Sequence, residues 1–237
     1  MERLPVALSE VDAQIEAQRR LREIVVRAVQ NAWTGLGQYN APDVARFLAV
    51  VVPLIVAAQR YSVTLSDAYV ARVLGRHPLG LDPAPILATL RGDTTPQSVY
   101  RRPFVTVWSD LAAGSPYEAA VAAGQARAEA SAAMDVQLAS RAGLQAVQDA
   151  DPRIRGWERK ADPGACPYCR LLDGVKLARA DAAATHPRCG CSIVPRTQRT
   201  EPDPLPAGVT VWDHGEYGAT LGDPAHDHLS EGQALSR

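Results

Sequence analysis

The sequence predicts a mainly α protein: an N-terminal helical part with one long alanine-rich helix, then a small α+β unit of zinc-knuckle type, then an extended tail. Three observations carry that expectation. Aromatic residues make up only 5% of the 237 positions and alanine is abundant, which favours closely packed helices over a β-sandwich. Apolar residues recur at helical spacing through most of the first 150 positions. All four cysteines, with one of the five histidines, fall in a single short stretch. The division expected is a helical domain over 1–150, a Cys/His metal-stapled unit over 151–200, and an extended linker and polar tail over 201–237.

The elements follow in order. Ser9-Glu10-Val11-Asp12 has the form of a capping box, and Val11, Ile15, Leu21, Val25, Ala28, Val29 and Ala32 then recur at helical spacing to about Trp33. The opposite face carries Arg19, Arg20, Arg22 and Arg27; it reads as a solvated face, with a phosphate backbone or acidic partner as the sharper alternative. Gly35-Leu36-Gly37 ends this helix. Asn40 and Pro42 open a second, with a kink or break expected at Pro53. Leu65 to Leu74 reads as a third, stopped by Gly75. Prolines and glycines interrupt the pattern from Arg76 to Pro96, leaving a short helix at Ile86 to Leu90.

Thr95-Pro96 starts the next helix, through Val105, Trp108 and Leu111 to Gly114. Ser115-Pro116-Tyr117-Glu118 then combines a capping serine, a proline suited to the first helical position and a glutamate three residues after the cap. The helix it opens runs from Pro116 to about Asp149. Ala119, Ala122, Ala126, Ala130, Ala133, Met134, Leu138 and Leu144 are expected to form a small-residue face for close helix approach. Arg127, Glu129, Asp135 and Arg141 fall on its other faces, where surface pairing at i, i+4 accounts for them. After Asp151-Pro152 the texture turns to β: Ile154–Ala161, Val175–Leu177 and Ser192–Val194 are strand-like. Arg196–Pro206 is a proline-rich linker, and Val209–Trp212 a last strand.

The cysteines set the candidate site. They read Cys166-x2-Cys169, sixteen residues, then His186-x2-Cys189-x-Cys191. Two short pairs at the ends of such a loop match the general form of a structural zinc site, since thiolate and imidazole suit Zn²⁺. Gly164, Pro167, Pro187 and Gly190 supply the turns. Five candidate ligands compete for four tetrahedral positions. Cys189 and Cys191 point to opposite faces of an extended chain, so one of them is expected to be spare. Two disulfides in any of three connectivities, or no bond at all, use the same residues. The start of the chain lacks a charged-then-apolar leader, so synthesis in a reducing cytoplasm is expected, where structural disulfides are rare. The small unit also has few large apolar side chains, which makes a metal the expected staple.

The stretch CPYC, loop, HPRCGCSIVP resembles the signature of the phage head morphogenesis domain, the MuF-like minor head proteins of tailed bacteriophages. Arg101–Arg141 resembles the helical lead-in of the versions carried by actinobacteriophages, and VWDHGEYGATLGDPAHDHL resembles their tail segment. The resemblance covers residues from about Arg101 to Leu229. It implies a structural minor capsid protein, no catalysis, and a place in the virion. The partners implied are the portal protein or the major capsid protein, with nonspecific contact to packaged DNA.

Other classes fare worse. The net charge of −1 provides no global field toward nucleic acid or membrane. The longest apolar run, Phe47 to Ala58, is shorter than the ~18 residues a membrane span needs and reads as a buried helix. There is no GxxxxGK[ST], GxGxxG or GxSxG motif. A capsid maturation protease is the runner-up, but none of the histidines has a nameable serine partner. A DNA-binding zinc module is the other alternative, against which the basic residues are dispersed. His226-x-His228 in the tail is a weak second metal pair. His77 lies in a turn.

Overall fold

The computed structural model describes residues 6–180, 183, 190–198, 201–204, 210–213 and 219–222. Four long helices form its body: α1 (Val6–Thr34), α2 (Ala41–Val73), α4 (Pro96–Ala112) and α5 (Tyr117–Ala150). Between them lie a short α3 (Pro83–Ala88) and β1 (Leu90–Asp93). A three-stranded antiparallel sheet follows in the order β3-β2-β4, from β2 (Gly156–Lys160), β3 (Lys176–Leu177) and β4 (Ser192–Arg196), with the one-turn α6 (Pro167–Leu171) between β2 and β3. A hairpin of β5 (Thr210–Asp213) and β6 (Ala219–Gly222) closes the described chain. The chain is mainly helical with a small sheet, as expected. The second strand of the terminal hairpin was not.

Local signals placed several ends correctly. Asn40 caps α2 by accepting from the Asp43 amide, with Pro42 in the first turn, and Thr95 caps α4 by accepting from the Ser98 amide. Two other caps differ. Helix α1 begins at Val6, so Ser9 lies inside it rather than at its cap. Helix α5 starts at Tyr117, and its N-cap is Pro116 without a side-chain bond. The Ser115 amide donates instead to the Asp110 carbonyl, closing the preceding helix.

The largest correction concerns α2, which runs through Pro53 unbroken, so Leu65–Leu74 is its last part and not a third helix. An internal proline costs about 3 kcal/mol. Phe47, Val51 and Ile55 are all at most 1% exposed around it, and each such side chain contributes roughly 1.5–3 kcal/mol on burial, which outweighs the cost. The run is also not the buried helix expected. α2 is long and apolar enough to cross a membrane by length and composition, yet only a third of its most apolar window is buried.

The core has two parts. Trp33, Tyr39, Phe47 and Phe104 form an aromatic centre where α1, α2 and α4 meet, with Trp33 4.9 Å from Phe104 and 5.5 Å from Phe47 between ring centroids. The second part joins Val11 and Ile15 of α1, Tyr69 and Val70 of α2 and Leu144 and Val147 of α5 to Trp157 and Ile193 of the sheet. The Tyr69 hydroxyl donates to the Ile193 carbonyl at 2.9 Å. The sheet therefore shares its apolar anchor with the helices, a footing that a count of its own apolar residues missed.

The buried stripe of α5 is Ala120, Gly124, Ala128, Ala132, Val136, Ala139, Gly143, Leu144 and Val147. The expected face was offset: Ala119, Ala122 and Ala126 are exposed, while Ala133 and Leu144 are buried as expected. The two glycines define the stripe. A Cβ on Gly124 would sit 2.6 Å from Val107 Cγ2 and 2.9 Å from the Pro103 carbonyl, and one on Gly143 would sit 3.0 Å from Val63 Cα. Asp135 and Arg141, expected on the surface, are buried.

Candidate metal centre

Pairing between β2 and β4 brings the two cysteine segments to one end of the sheet. The register sets Gly156 opposite Arg196 and Lys160 opposite Ser192. The residue after β2, Ala161, and the residue before β4, Cys191, are thus at neighbouring strand ends. From Ala161 the chain turns through Asp162, whose carboxylate accepts from the Gly164 amide at 2.8 Å, and reaches Cys166. Cys166 is the N-cap of α6, its sulfur accepting from the Cys169 amide at 3.5 Å, and Pro167 takes the first helical position. The sulfur plays the part an oxygen usually plays at such a cap.

Cys169 is buried, and Cys166, Cys191 and Ala161 pack against it and Ala165 in one small cluster. Gly190 of the second segment lies against the Asp162 side chain. A Cβ there would lie 1.8 Å from Asp162 Oδ2, so the glycine lets the Asp162 side chain lie against the Gly190-Cys191 segment, and a larger residue would make that side chain move. Three of the five predicted ligands, Cys166, Cys169 and Cys191, are therefore brought together, and they form no disulfide among the described residues. His186 and Cys189 lie outside the described residues, as do His214, His226 and His228. Among the described residues no group of three or more His, Cys, Asp or Glu is set to hold a metal ion, so the expected zinc knuckle is not assembled by them alone. In kind, three thiols fit Zn²⁺ better than a hard, oxygen-loving cation.

Two arginines to which the sequence reading gave no part in the site complete the surroundings. Arg159, 2% exposed, donates from Nη2 to the Cys169 sulfur at 3.4 Å. Arg141 of α5 donates from Nη2 to the Cys191 carbonyl at 2.9 Å. The signal for Arg159 was present in its strand: Trp157 and Arg159 stand at i, i+2 and so share a face, and Trp157 is fully buried with its indole N–H donating to Gln148 Oε1 at 2.8 Å. An arginine on the same face as a buried tryptophan has to point inward. Asp203, in the predicted linker, pins that segment to the sheet: its carboxylate accepts from the Lys176 amide at 3.0 Å, which with Lys176 Nζ holds the carboxyl below its ordinary value.

A family model described as VG15 protein matches residues 81–211, more than half of the chain, including α4, α5, the sheet and the whole cysteine segment. No curated protein and no solved structure matches the chain.

Proposed function

The chain belongs to the VG15 protein family, a family of viral (phage) proteins, and from that membership we propose that it is a structural minor capsid protein of a tailed bacteriophage, of the MuF-like head-morphogenesis kind. It acts without catalysis of its own, associated with the portal or the capsid interior during head assembly. The observation that carries the reading is the meeting of Cys166, Cys169 and Cys191 at one end of the sheet, the residues on which the resemblance to the MuF-like signature also rests.

The proposed role of the cysteines is to hold a structural Zn²⁺, through Cys166, Cys169, His186 and one thiolate of the CGC segment. The place of Cys191 in the cluster makes it the proposed ligand of that segment. The metal would supply a redox-independent cross-link between the two cysteine segments. Arg159 fits this reading: a guanidinium buried so deeply is costly unless it meets negative charge, which a metal-bound thiolate at Cys169 provides. The described residues lend the protease alternative little. Their one histidine, His77, is exposed.

The test is composition and association. Purified heads of the encoding phage are analysed by mass spectrometry, and the tagged chain is co-expressed with the portal protein of the same phage. The chain present in heads and co-purifying with portal is the expected result. Its absence from heads, or cleavage of capsid protein abolished by a single hydroxyl or histidine replacement, overturns the reading. So does binding to short DNA duplexes in the absence of portal.

A further inference from the structure

The leading end of β4 is held by the helices as well as by the sheet. Arg159 of β2 gives its amide to the Val175 carbonyl and takes the Gly174 amide on its own carbonyl, so both of its backbone groups face the β3 side. Its partner across the β2–β4 ladder is Ile193, whose backbone groups therefore face away from β2. Alternation carries that outer edge back to Cys191 and on to Pro195. Such an edge ordinarily offers its carbonyls to a further strand. Here the side chains of two helices take them. The Tyr69 hydroxyl of α2 donates to the Ile193 carbonyl at 2.9 Å, and Arg141 of α5 donates from Nη2 to the Cys191 carbonyl at 2.9 Å.

Both holds are deep. Tyr69 is fully buried and Arg141 is 8% exposed. A buried donor that loses its acceptor is costly, so Arg141 and residue 191 keep each other in place. The packing round them is close. α1, α5 and residues 190–192 meet at a cavity of about 20 Å³ bordered by Ile15, Gln18, Ser140, Arg141 and Cys191, with room for about one water. Gln18 Nε2 donates to the Ser62 carbonyl of α2, and the Ser62 hydroxyl to the Val136 carbonyl of α5. A displacement of residue 191 is thus felt by α1, α2 and α5 together. The aromatic centre round Trp33 and Phe104 belongs to the other part of the core.

Cys191 is at once a member of the thiol cluster and the residue whose carbonyl Arg141 holds. We infer that Arg141 and Tyr69, by gripping the outer edge of β4, couple the cysteine centre to the helical body. A metal on the thiols and the packing of α1 and α5 then strengthen one another. The coupling presupposes the zinc proposed above at these thiols. It is reciprocal: a change in α5 that frees residue 191 weakens the metal, and loss of the metal loosens α5 by the same factor. Arg141 is a positioning residue, acting through Cys191.

The test is amide hydrogen exchange of the full chain, read by mass spectrometry on the zinc-loaded protein and again after chelation. In wild type, chelation should speed exchange by at least about fivefold in segments 11–18 of α1 and 137–147 of α5, and leave 99–107 of α4 unchanged. R141M should bind zinc about tenfold more weakly. With zinc bound, it should exchange in those two segments as fast as chelated wild type, so that chelation adds nothing. Y69F removes one hydroxyl from the same edge and keeps the ring, and should narrow the difference in the same segments. If R141M fails to fold, the wild-type comparison and Y69F decide alone.

Zinc uptake with equal exchange in loaded and chelated wild type would overturn the coupling and leave the metal reading standing. An equal rise in 99–107 would do the same, since it marks general loosening, and so would a full wild-type response in R141M or in Y69F. A wild-type chain that takes up no zinc would overturn both.

Discussion

Arg159 of β2 donates a hydrogen bond to the sulfur of Cys169, ten residues later, with both side chains buried. The contact couples the strand that anchors the sheet, through Trp157 beside it, to the turn that carries the first cysteine pair. Groups that touch metal ligands from outside typically alter metal affinity 10–100-fold. The R159M variant, which keeps length and loses charge, should therefore bind zinc about tenfold or more weakly while its far-UV dichroism stays unchanged. Equal zinc affinity in competition with a chromophoric chelator would show that Arg159 serves packing alone.

The choice between the last two cysteines is open to a direct comparison. Cys191 lies in the cluster with Cys166 and Cys169, so C191S should lose bound zinc and C189S should retain it. Retention in C191S with loss in C189S would exchange their roles.

Asp135 ties three elements together. It is 2% exposed and accepts from Arg91 Nε of β1 at 2.6 Å and from the Tyr100 hydroxyl of α4 at 2.7 Å. Burial, with the Asp135 charge beside it, holds the Tyr100 phenol well above its ordinary value. D135A leaves a half-buried guanidinium and a buried phenol without their acceptor, at a cost of about 3–5 kcal/mol. A melting temperature lowered by about 10 °C is expected. Adding R91M should restore part of it. A D135A change of under a degree would show the network to be dispensable.

Acid sensitivity has a nearby source in Asp151. Hydrogen bonds from the Arg153 side chain, then from its amide and from Arg76 Nε, hold the Asp151 carboxyl far below its ordinary value. A carboxyl depressed in the folded state contributes stability that is complete above its unfolded value, near pH 4, and is lost as pH falls toward the folded value. Wild type should lose stability from pH 4 to pH 2 more steeply than D151N, which at neutral pH should be weaker by about 2 kcal/mol. Parallel curves of melting temperature against pH would refute this assignment.

Two helix starts were legible in the sequence, but the buried face of the long helix was not. Asn40 and Thr95 each act on an amide three residues away, so their capping could be read locally. In α5 alanines lie on every side, and periodicity alone cannot choose among them. What chooses is close approach: Gly124 admits Val107 and the Pro103 carbonyl, and Gly143 admits Val63. Those glycines are the contact points. G124A should accordingly destabilise by about 2 kcal/mol through overpacking, and an unchanged midpoint would place the helices farther apart than described. The continuity of α2 through Pro53 was likewise hidden, because it depends on how much of Phe47, Val51 and Ile55 the other helices bury. In the candidate centre the cysteines could be found by spacing. Arg141 could not, since its partner Cys191 is fifty residues away.

The central claim is that the two cysteine segments are held by a metal. Elemental analysis of the purified chain, with thiols counted before and after chelation, tests it most directly. About one zinc per chain, with the thiols reactive only once the metal is removed, is the predicted result. A metal-free protein whose four cysteines all react at once, with the sheet intact, would contradict it.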